Sequence, residues 1–322
     1  MLVIPFILFL QPHPCQPAAG ATLTWSKRCA DLPVPMYHAE ALVMGNTVYA
    51  GGGCAKDHSN TVFAYNIALD NWKSLPPCPV SYFGLAKLEE RLVALGGITH
   101  SKGISDKVYT FDQGSQQWNS TLPNMLTARH SLSAITFESN IFACGGKDAS
   151  GVSDSVEVLK AGSSQWYGTH PLPFPCYHMS STVIHGCCYM LGGFDQHAFT
   201  DKVIYTSLTS LLEDSAITSK SRGHSLWHSL HSVRYTCAAA ANVGGCLLAI
   251  GGGRTFGNAK VCMYCQFRKA WVKLTDLMDV HAYIGPTVAE LPNSDVLVIG
   301  GATSSFEPRG TVYKGSISYG TA

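Results

Sequence analysis

The sequence carries little charge, because only 13% of its 322 residues are Asp, Glu, Lys or Arg and the formal net charge is +1. Soluble domains usually contain about 25% charged residues, so the chain has no broad basic field with which to hold nucleic acid. Long apolar runs are lacking as well. None reaches the roughly 18 residues that a membrane-spanning helix requires, so no membrane span is predicted.

The signatures of common enzymes are also lacking. The chain contains no G-x-S-x-G, no H-E-x-x-H, no Walker-type loop and no G-x-G-x-x-G after a strand. Cys262 and Cys265 form one C-x-x-C pair, but no second pair stands at the spacing of a zinc site. We therefore predict no catalytic residue, no metal site and no cofactor.

Cysteine and the N-terminus bear on the compartment. The twelve cysteines follow no regular spacing and lie in strand-like runs, which favours buried free thiols. Residues 1–22 form a leader that is either disordered or a signal peptide, since the apolar block Leu2–Leu10 precedes a small-x-small sequence but no Lys or Arg precedes the block. Cytoplasm is favoured, and secretion is the alternative if Met1–Ala21 is a signal peptide.

Glycine, by contrast, is abundant and periodic. Six apolar runs end in a glycine pair, and the pairs recur about every 50 residues. The pairs begin at Gly51, Gly96, Gly145, Gly192, Gly251 and Gly300. A strand-like run with a valine follows each pair, at Val62, Val108, Val156, Val203, Val261 and Val312. Tryptophan follows five of these runs, at Trp72, Trp118, Trp166, Trp227 and Trp271.

This repeat predicts an all-β fold in which each repeat contributes four strands to a radial propeller. The step is longer than 40–45 residues and no Trp-Asp dipeptide occurs, so the pattern differs from the other common propeller repeat. The order of apolar strand, Gly-Gly, Val strand and Trp resembles kelch repeats over residues 23–320. The resemblance implies a six-bladed kelch-type β-propeller over residues 23–322, with four antiparallel strands per blade.

The two ends of the chain are complementary. Trp25 precedes the first glycine pair, whereas no tryptophan follows the last pair and the Val312 strand. We predict that an N-terminal outer strand around Trp25 completes the last blade, which removes the free edge of an open ring.

One repeat is longer than the others. Gly192 and Trp227 are 35 positions apart, against 20 to 22 in the other complete repeats. The excess, about residues 210–224, predicts a surface loop inserted between the third and fourth strands of the fourth blade.

Candidate binding residues precede each small-residue run and are mostly tyrosine. They are Tyr37, Tyr82, Arg129, Tyr177, Tyr235 and Tyr283, and next to them stand His38, His130, His178 and Arg234. In kelch adaptors, this face and the loops after the glycine pairs take up the partner peptide. The resemblance therefore adds Asp57, His58, His197, Arg254 and Arg309. Tyrosine and arginine contribute much of the binding energy in protein interfaces. The alternative is that each tyrosine packs against the next blade.

The sequence thus predicts a non-enzymatic, monomeric interaction module that binds a protein or peptide on one face. The identity of that partner is not encoded in any motif. The alternative is a sugar- or small-molecule-binding or isomerising propeller with a site in the central channel, because some six-bladed kelch-like proteins epimerise or mutarotate sugars. The inner runs of Ala, Ser, Gly and Val favour the interaction module.

Overall fold

The computed structural model describes residues 21–55, 60–215, 225–233, 236–252, 260–265, 268–276 and 284–318. Within these residues the strands build six four-stranded antiparallel sheets, which are the predicted blades. The first strands of successive blades contact one another, and the first blade contacts the last, so the blades form a closed ring around a channel. Residues 1–20 of the predicted leader lie outside the described residues.

The blades follow the chain, each from the inner to the outer strand. Blade 1 contains β2 (Glu40–Met44), β3 (Thr47–Gly51), β4 (Val62–Asn66) and β5 (Asn71–Ser74). Blade 2 contains β7 (Gly84–Leu88), β8 (Arg91–Leu95), β10 (Val108–Asp112) and β11 (Gln117–Asn119). Blade 3 contains β12 (Ser133–Phe137), β13 (Asn140–Cys144), β16 (Val156–Leu159) and β17 (Trp166–Thr169). Blade 4 contains β18 (Ser180–Ile184), β19 (Cys187–Leu191), β20 (Val203–Ser207) and β21 (His228–Leu230). Blade 5 contains β22 (Ala239–Val243), β23 (Cys246–Ile250), β24 (Lys260–Cys265) and β25 (Ala270–Asp276).

Blade 6 closes the ring as the sequence predicts. It contains β26 (Thr287–Glu290), β27 (Val296–Ile299), β28 (Val312–Ser318) and, as its outer strand, β1 (Thr22–Arg28). Trp25 pairs with Gly315 in this sheet. Two short sheets lie at the loops, β6 (Val80–Ser81) with β9 (Ile98–Thr99) and β14 (Lys147–Asp148) with β15 (Gly151–Val152).

The hydrophobic core is divided among the interfaces between blades. Each of six apolar clusters joins the facing sides of two neighbouring sheets, and the cluster between blades 6 and 1 closes the circle. The predicted valines lie at the start of the third strands and are almost fully buried, as Val62 and Val312 show at 0% exposure. No blade buries its own two faces alone, so the sheets stabilise one another.

The tryptophans link each outer strand to the blade before it. The indole nitrogen donates a hydrogen bond to a backbone carbonyl at or just after the outer strand of the preceding blade. The six bonds run from Trp72 to Ala30 (2.8 Å), Trp118 to Pro76 (2.9 Å), Trp166 to Pro123 (2.8 Å), Trp227 to His170 (3.3 Å), Trp271 to His231 (2.7 Å) and Trp25 to Asp276 (3.0 Å).

The glycine pairs allow the backbone of one blade to touch that of the next. Gly96 has a φ of 63°, and a Cβ there would stand 2.2 Å from the carbonyl oxygen of Arg129. Gly300 has the same conformation, and its Cβ would stand 2.3 Å from the carbonyl oxygen of Met36. A side chain at either position would therefore force the blades apart.

The insertion in blade 4 differs from the predicted loop. Its first part forms the helix α1 (Leu208–Asp214), while residues 216–224 lie outside the described part of the chain. Leu208 and Leu211 are fully buried, so the segment extends the core instead of lying on the surface. Among the described residues, no helix has the length and apolarity to cross a membrane.

Trp166 offers a test of the contact between blades. Trp166→Ala is expected to lower the free energy of unfolding by about 3–5 kcal/mol because it opens a cavity. Trp166→Phe is expected to cost about 1 kcal/mol, since it leaves the half-buried carbonyl of Pro123 without its donor. Urea unfolding measures both. The control is Tyr167→Phe on the same strand, and an equal loss in that variant would contradict the role of the indole.

Candidate functional site

The mouth of the channel is formed by one residue from each blade, always two positions before the inner strand. These residues, the mouth ring, are His38, Tyr82, Ser131, His178, Cys237 and Gly285, and all have a φ between 51° and 56°. Their backbones bond around the ring, because His38 N donates to Gly285 O (2.7 Å) and His178 N donates to Ser131 O (3.0 Å). The mouth is therefore a backbone-defined opening whose side chains differ from blade to blade.

The predicted binding residues occupy different positions of these loops. Tyr82 belongs to the mouth ring, whereas Tyr37 and Tyr177 stand one residue earlier and Arg129 two residues earlier. Tyr37 and Tyr177 occupy a position that bonds to the first residue after the glycines of the same blade. Tyr37 pairs with Cys54, which follows Gly51–Gly53, and Tyr177 pairs with Phe194, which follows Gly193. The tyrosines that the sequence suggests as one ring therefore occupy two different positions in the loops, Tyr82 in the mouth ring and Tyr37 and Tyr177 one residue before it.

Four predicted residues come together across the mouth. The rings of Tyr37, His38, His178 and Tyr177, the aromatic row, follow one another with centroid separations of 5.2, 4.5 and 5.0 Å. His38 and His178 stack with an angle of 14° between their planes. Since blades 1 and 4 are opposite each other in a ring of six, the row spans the mouth along its diameter.

Three phenylalanines continue the aromatic row along the rim. Phe194 lies 5.3 Å from Tyr177, Phe199 packs edge-on against Phe194 at 4.8 Å, and Phe306 stacks on Phe199 at 5.8 Å. Phe306 also lies 6.3 Å from Tyr37 and is 44% exposed. The rings therefore form a closed aromatic chain on the face that carries the loops, and part of it is open to solvent.

The imidazoles of the aromatic row are neutral at physiological pH. Burial lowers the pKa of His38 to about 4. The pKa of His178 is lowered further below its ordinary value, first by burial and then by the nearby charges of His38, His130 and Lys147. Burial also raises the pKa of Tyr37 to about 12, so its phenol keeps its proton. The row thus presents apolar rings and hydrogen-bonding groups rather than charge.

One side of the aromatic row carries a cation. The Lys147 ammonium lies 4.5 Å from the centroid of the Tyr177 ring, a cation–π contact. His130 pairs with Lys147 through the backbone and holds its Nδ1 3.0 Å from Ser131 Oγ. Both stand beside the mouth, on the loops of blade 3.

Arg129 does not lie on the rim, which corrects its place among the predicted binding residues. Its side chain is 0% exposed and bonds to the Glu157 carboxylate at 2.5 Å. The guanidinium also donates to Gly145 O and Ser155 O, both at 3.0 Å. The guanidinium therefore bonds to groups of the core, and the buried side chain is closed to a partner.

The other predicted residues are spread over the same face. Tyr82 is partly exposed at the mouth, His197 is exposed on the loop of blade 4, and Arg309 is partly buried beside Gly301. Among the described residues, Arg309 Nε has no hydrogen-bond partner although it is buried. The remaining predictions, Asp57, His58, Arg234, Tyr235, Arg254 and Tyr283, fall outside the described residues.

The channel is more polar than the small-residue runs suggest. The inner edges of the first strands expose backbone groups, and side chains from other blades satisfy several of them. Thr136 Oγ1 accepts from Lys87 N at 3.1 Å, and Ser180 Oγ accepts from Ala240 N at 2.9 Å. Glu40 serves the same purpose for two blades at once, accepting from Leu85 N and, at 2.8 Å, from Ala134 N.

The described residues also bear on metal binding and on the environment of the cysteines. Within the described residues, no group of three or more His, Cys, Asp or Glu side chains could hold a metal ion. In the described part of the chain, ten cysteines carry free thiols, eight of them buried, and Cys246 is disulfide-bonded. The thiols mainly fill space in the core, as Cys144 and Cys188 do between blades 3 and 4.

Sequence reasoning missed Glu40, Phe194 and Phe199. A signal existed for two of them, since Phe194 directly follows a glycine pair and Glu40 is a lone carboxylate at the start of a small-residue run. Their proximity to the mouth could not be read from spacing, because it arises from loops of different blades meeting over the channel.

Comparisons with known proteins agree with this architecture. The family model described as Kelch motif matches residues 35–79. Beta-scruin of Limulus polyphemus is 26% identical over 202 residues, covering 56% of this chain and 22% of that protein. Kelch-like protein terF of Aspergillus terreus is 32% identical over 120 residues, covering 34% and 26%. Kelch-like protein 38 of Rattus norvegicus is 25% identical over 247 residues, covering 73% and 40%.

Among solved structures, that of YjhT superposes with a TM-score of 0.71 at 14% identity, covering 90% of this chain and 99% of that one. At this low identity, the structural similarity to YjhT bears on the fold only. The protein is therefore a six-bladed β-propeller. The motif match and the kelch-like relatives support a place among the kelch-repeat proteins. The chain spans less than half the length of these curated relatives.

Arg129 and Glu157 provide a stability test. Arg129→Met is expected to lower the free energy of unfolding by about 3–5 kcal/mol, because the buried Glu157 carboxylate loses its counter-charge. Adding Glu157→Gln is expected to restore part of that loss, and urea unfolding of both variants measures it. If Arg129→Met leaves stability unchanged, the pair has no structural role.

Proposed function

We propose that this propeller is a non-enzymatic interaction module that binds a protein or peptide across the mouth of its channel. The observation that carries the proposal is the aromatic row, in which opposite blades place four rings in contact over the opening. Aromatic side chains held rigidly by the fold lose little entropy on binding, and for that reason they often dominate the energy of protein interfaces.

The support of each ring is consistent with a preformed surface. Tyr37 N donates to Cys54 O (3.1 Å) and Cys54 N donates to Tyr37 O (2.8 Å), so the loop is held on both sides. Tyr177 and Phe194 exchange the same two bonds at 3.1 and 2.9 Å. A partner would then meet rings that are already in position, with Lys147 and the partly exposed Phe306 at their edges.

The kelch-like relatives support an interaction module in general. The partner and the face that binds it are the finer part of the proposal, and they rest on the aromatic row and the loops around it. A monomeric state and a cytoplasmic location remain predictions from the sequence.

The proposal is tested by capturing partners with the full chain and measuring the affinity of a captured partner for matched variants. Phe306→Ser and Tyr177→Ala are each expected to weaken binding at least about tenfold, since truncating a central aromatic contact commonly costs 1–2 kcal/mol or more. Calorimetry or surface plasmon resonance gives the dissociation constants.

Leu69→Ser is the matched control. Leu69 is an equally apolar, 69% exposed side chain on a turn between β4 and β5, at the other end of the strands. Its replacement is expected to leave the affinity unchanged. If Leu69→Ser weakens the complex while Phe306→Ser and Tyr177→Ala do not, the partner binds the opposite face and the proposal fails.

A further inference from the structure

The channel contains a cavity directly beneath the mouth ring. This upper cavity has a volume of about 80 Å³. Its walls come from the mouth ring and from the first residues of the inner strands, including Glu40, Ser180, Ser181 and Thr287. A bound water needs only about 10–15 Å³ of such space, so the cavity has room for a compact polar group and the slender chain that carries it.

Glu40 brings a carboxylate to this cavity. The residue begins β2, lines the upper cavity and is half-buried, so the channel walls shield its carboxylate in part from bulk water. Its two oxygens accept the backbone N–H groups of Leu85 and Ala134, from blades 2 and 3. The Ser133 hydroxyl also hydrogen-bonds to this carboxylate. These three bonds still leave acceptor capacity, because an ionised carboxylate offers about four acceptor sites.

The carboxylate has no counter-charge from the described part of the chain. None of the ion pairs among these residues includes Glu40. A buried charge without a partner is destabilising. Desolvation accordingly disfavours the ionised form of Glu40 and raises its pKa to about 8. A cation placed in the cavity would remove the penalty.

The remaining groups around the upper cavity are neutral. Burial lowers the pKa of His38 and of His178, and burial raises the pKa of the Cys237 thiol, so none of the three is charged near pH 8. Lys147 stands outside the cavity, over the Tyr177 ring, and His130 bonds to Ser131 beside it. Cys144, behind the inner strands, is a neutral thiol because burial raises its pKa to about 12.

We propose that the upper cavity is a binding site for the primary ammonium group of an organic amine, with Glu40 as its counter-ion. An ammonium carries three donors, and the Glu40 carboxylate with the Ser180, Ser181 and Thr287 hydroxyls offers acceptors from several blades. The imidazoles of His38 and His178 also line the cavity and give an alkyl chain apolar ring surface to contact. This site lies beneath the surface proposed for a protein partner and shares His38 and His178 with it.

The chemistry selects an amine over other cations. Calcium and magnesium ions require six or more oxygen ligands, whereas the cavity supplies one carboxylate. A guanidinium spreads five donors in one plane and pairs best with two fully free carboxylate oxygens, whereas each Glu40 oxygen keeps only part of its acceptor capacity. A compact ammonium on an unbranched chain fits a single anionic point within a ring of hydroxyls.

The test uses the full chain with two probes of nearly equal shape, n-butylammonium chloride and n-butanol. Near pH 9 the Glu40 carboxylate is ionised while an alkylammonium remains protonated. Saturable binding of n-butylammonium, at least about tenfold tighter than that of n-butanol, is expected in a calorimetric or NMR titration. Equal affinities, or no saturable binding of either probe, would overturn the proposal.

The pH dependence supplies a second readout that needs no variant. Because the ammonium pairs with the ionised carboxylate, its affinity is expected to fall about tenfold per unit as the pH drops below about 8, the pKa of Glu40. The sign follows from the acid, since protonating Glu40 removes the negative charge that holds the cation. An affinity that does not change between about pH 9 and pH 6 would contradict the role of Glu40.

Variants locate the site within the channel. Glu40→Gln is expected to lower n-butylammonium affinity at least about tenfold, since the isosteric amide carries no charge. Glu290→Gln is the matched control, because Glu290 lines the adjoining chamber of about 310 Å³ further along the channel and does not line the upper cavity. Loss of binding in Glu290→Gln alone would place the site in that chamber. If Glu40→Gln does not fold, the probe pair and the pH profile of the unaltered chain still decide.

Discussion

One type of hydrogen bond, from an indole nitrogen to a backbone carbonyl of the preceding blade, connects neighbouring blades at the outer edge of the propeller. The bond recurs at all six tryptophans, and the last of them, from Trp25 to Asp276, joins the first strand of the chain to its fifth blade. Because the apolar cores lie between blades and not within them, the ring depends on these contacts being complete. The N-terminal strand therefore stabilises every interface indirectly, by closing the circle.

Closure has a consequence at the centre. Six inner strands converge on an axis, and their inward edges expose backbone N–H groups that no seventh strand can pair. Glu40, Thr136 and Ser180 reach across to neighbouring blades and satisfy such groups. The carboxylate of Glu40 therefore has a structural role in the channel, where it accepts hydrogen bonds from backbone N–H groups. Because it also lies beside a cavity, it is placed to act as the counter-ion of the inferred amine. The same constraint produces both the scaffold and the inferred amine site.

The two sites differ in how far the sequence could anticipate them. Tyr37, His38, Tyr177 and His178 were predicted as binding residues, and the structure brings their rings into contact across the mouth. Arg129 was grouped with them because it stands at a similar distance from a glycine pair. Spacing alone cannot show whether a side chain points to the rim or to the core. That direction depends on which residue of each loop adopts the left-handed backbone conformation.

The sequence by itself determined the architecture: six repeats, four strands in each, and a strand around Trp25 that completes the sixth blade. It could do so because glycine pairs, buried valines and tryptophans recur with a period that local physics imposes on every blade. Only the tertiary structure decided where Arg129 and Glu40 point, how α1 joins the core and which loops meet over the channel. Those features come from contacts between residues far apart in the chain, and no local period records such contacts.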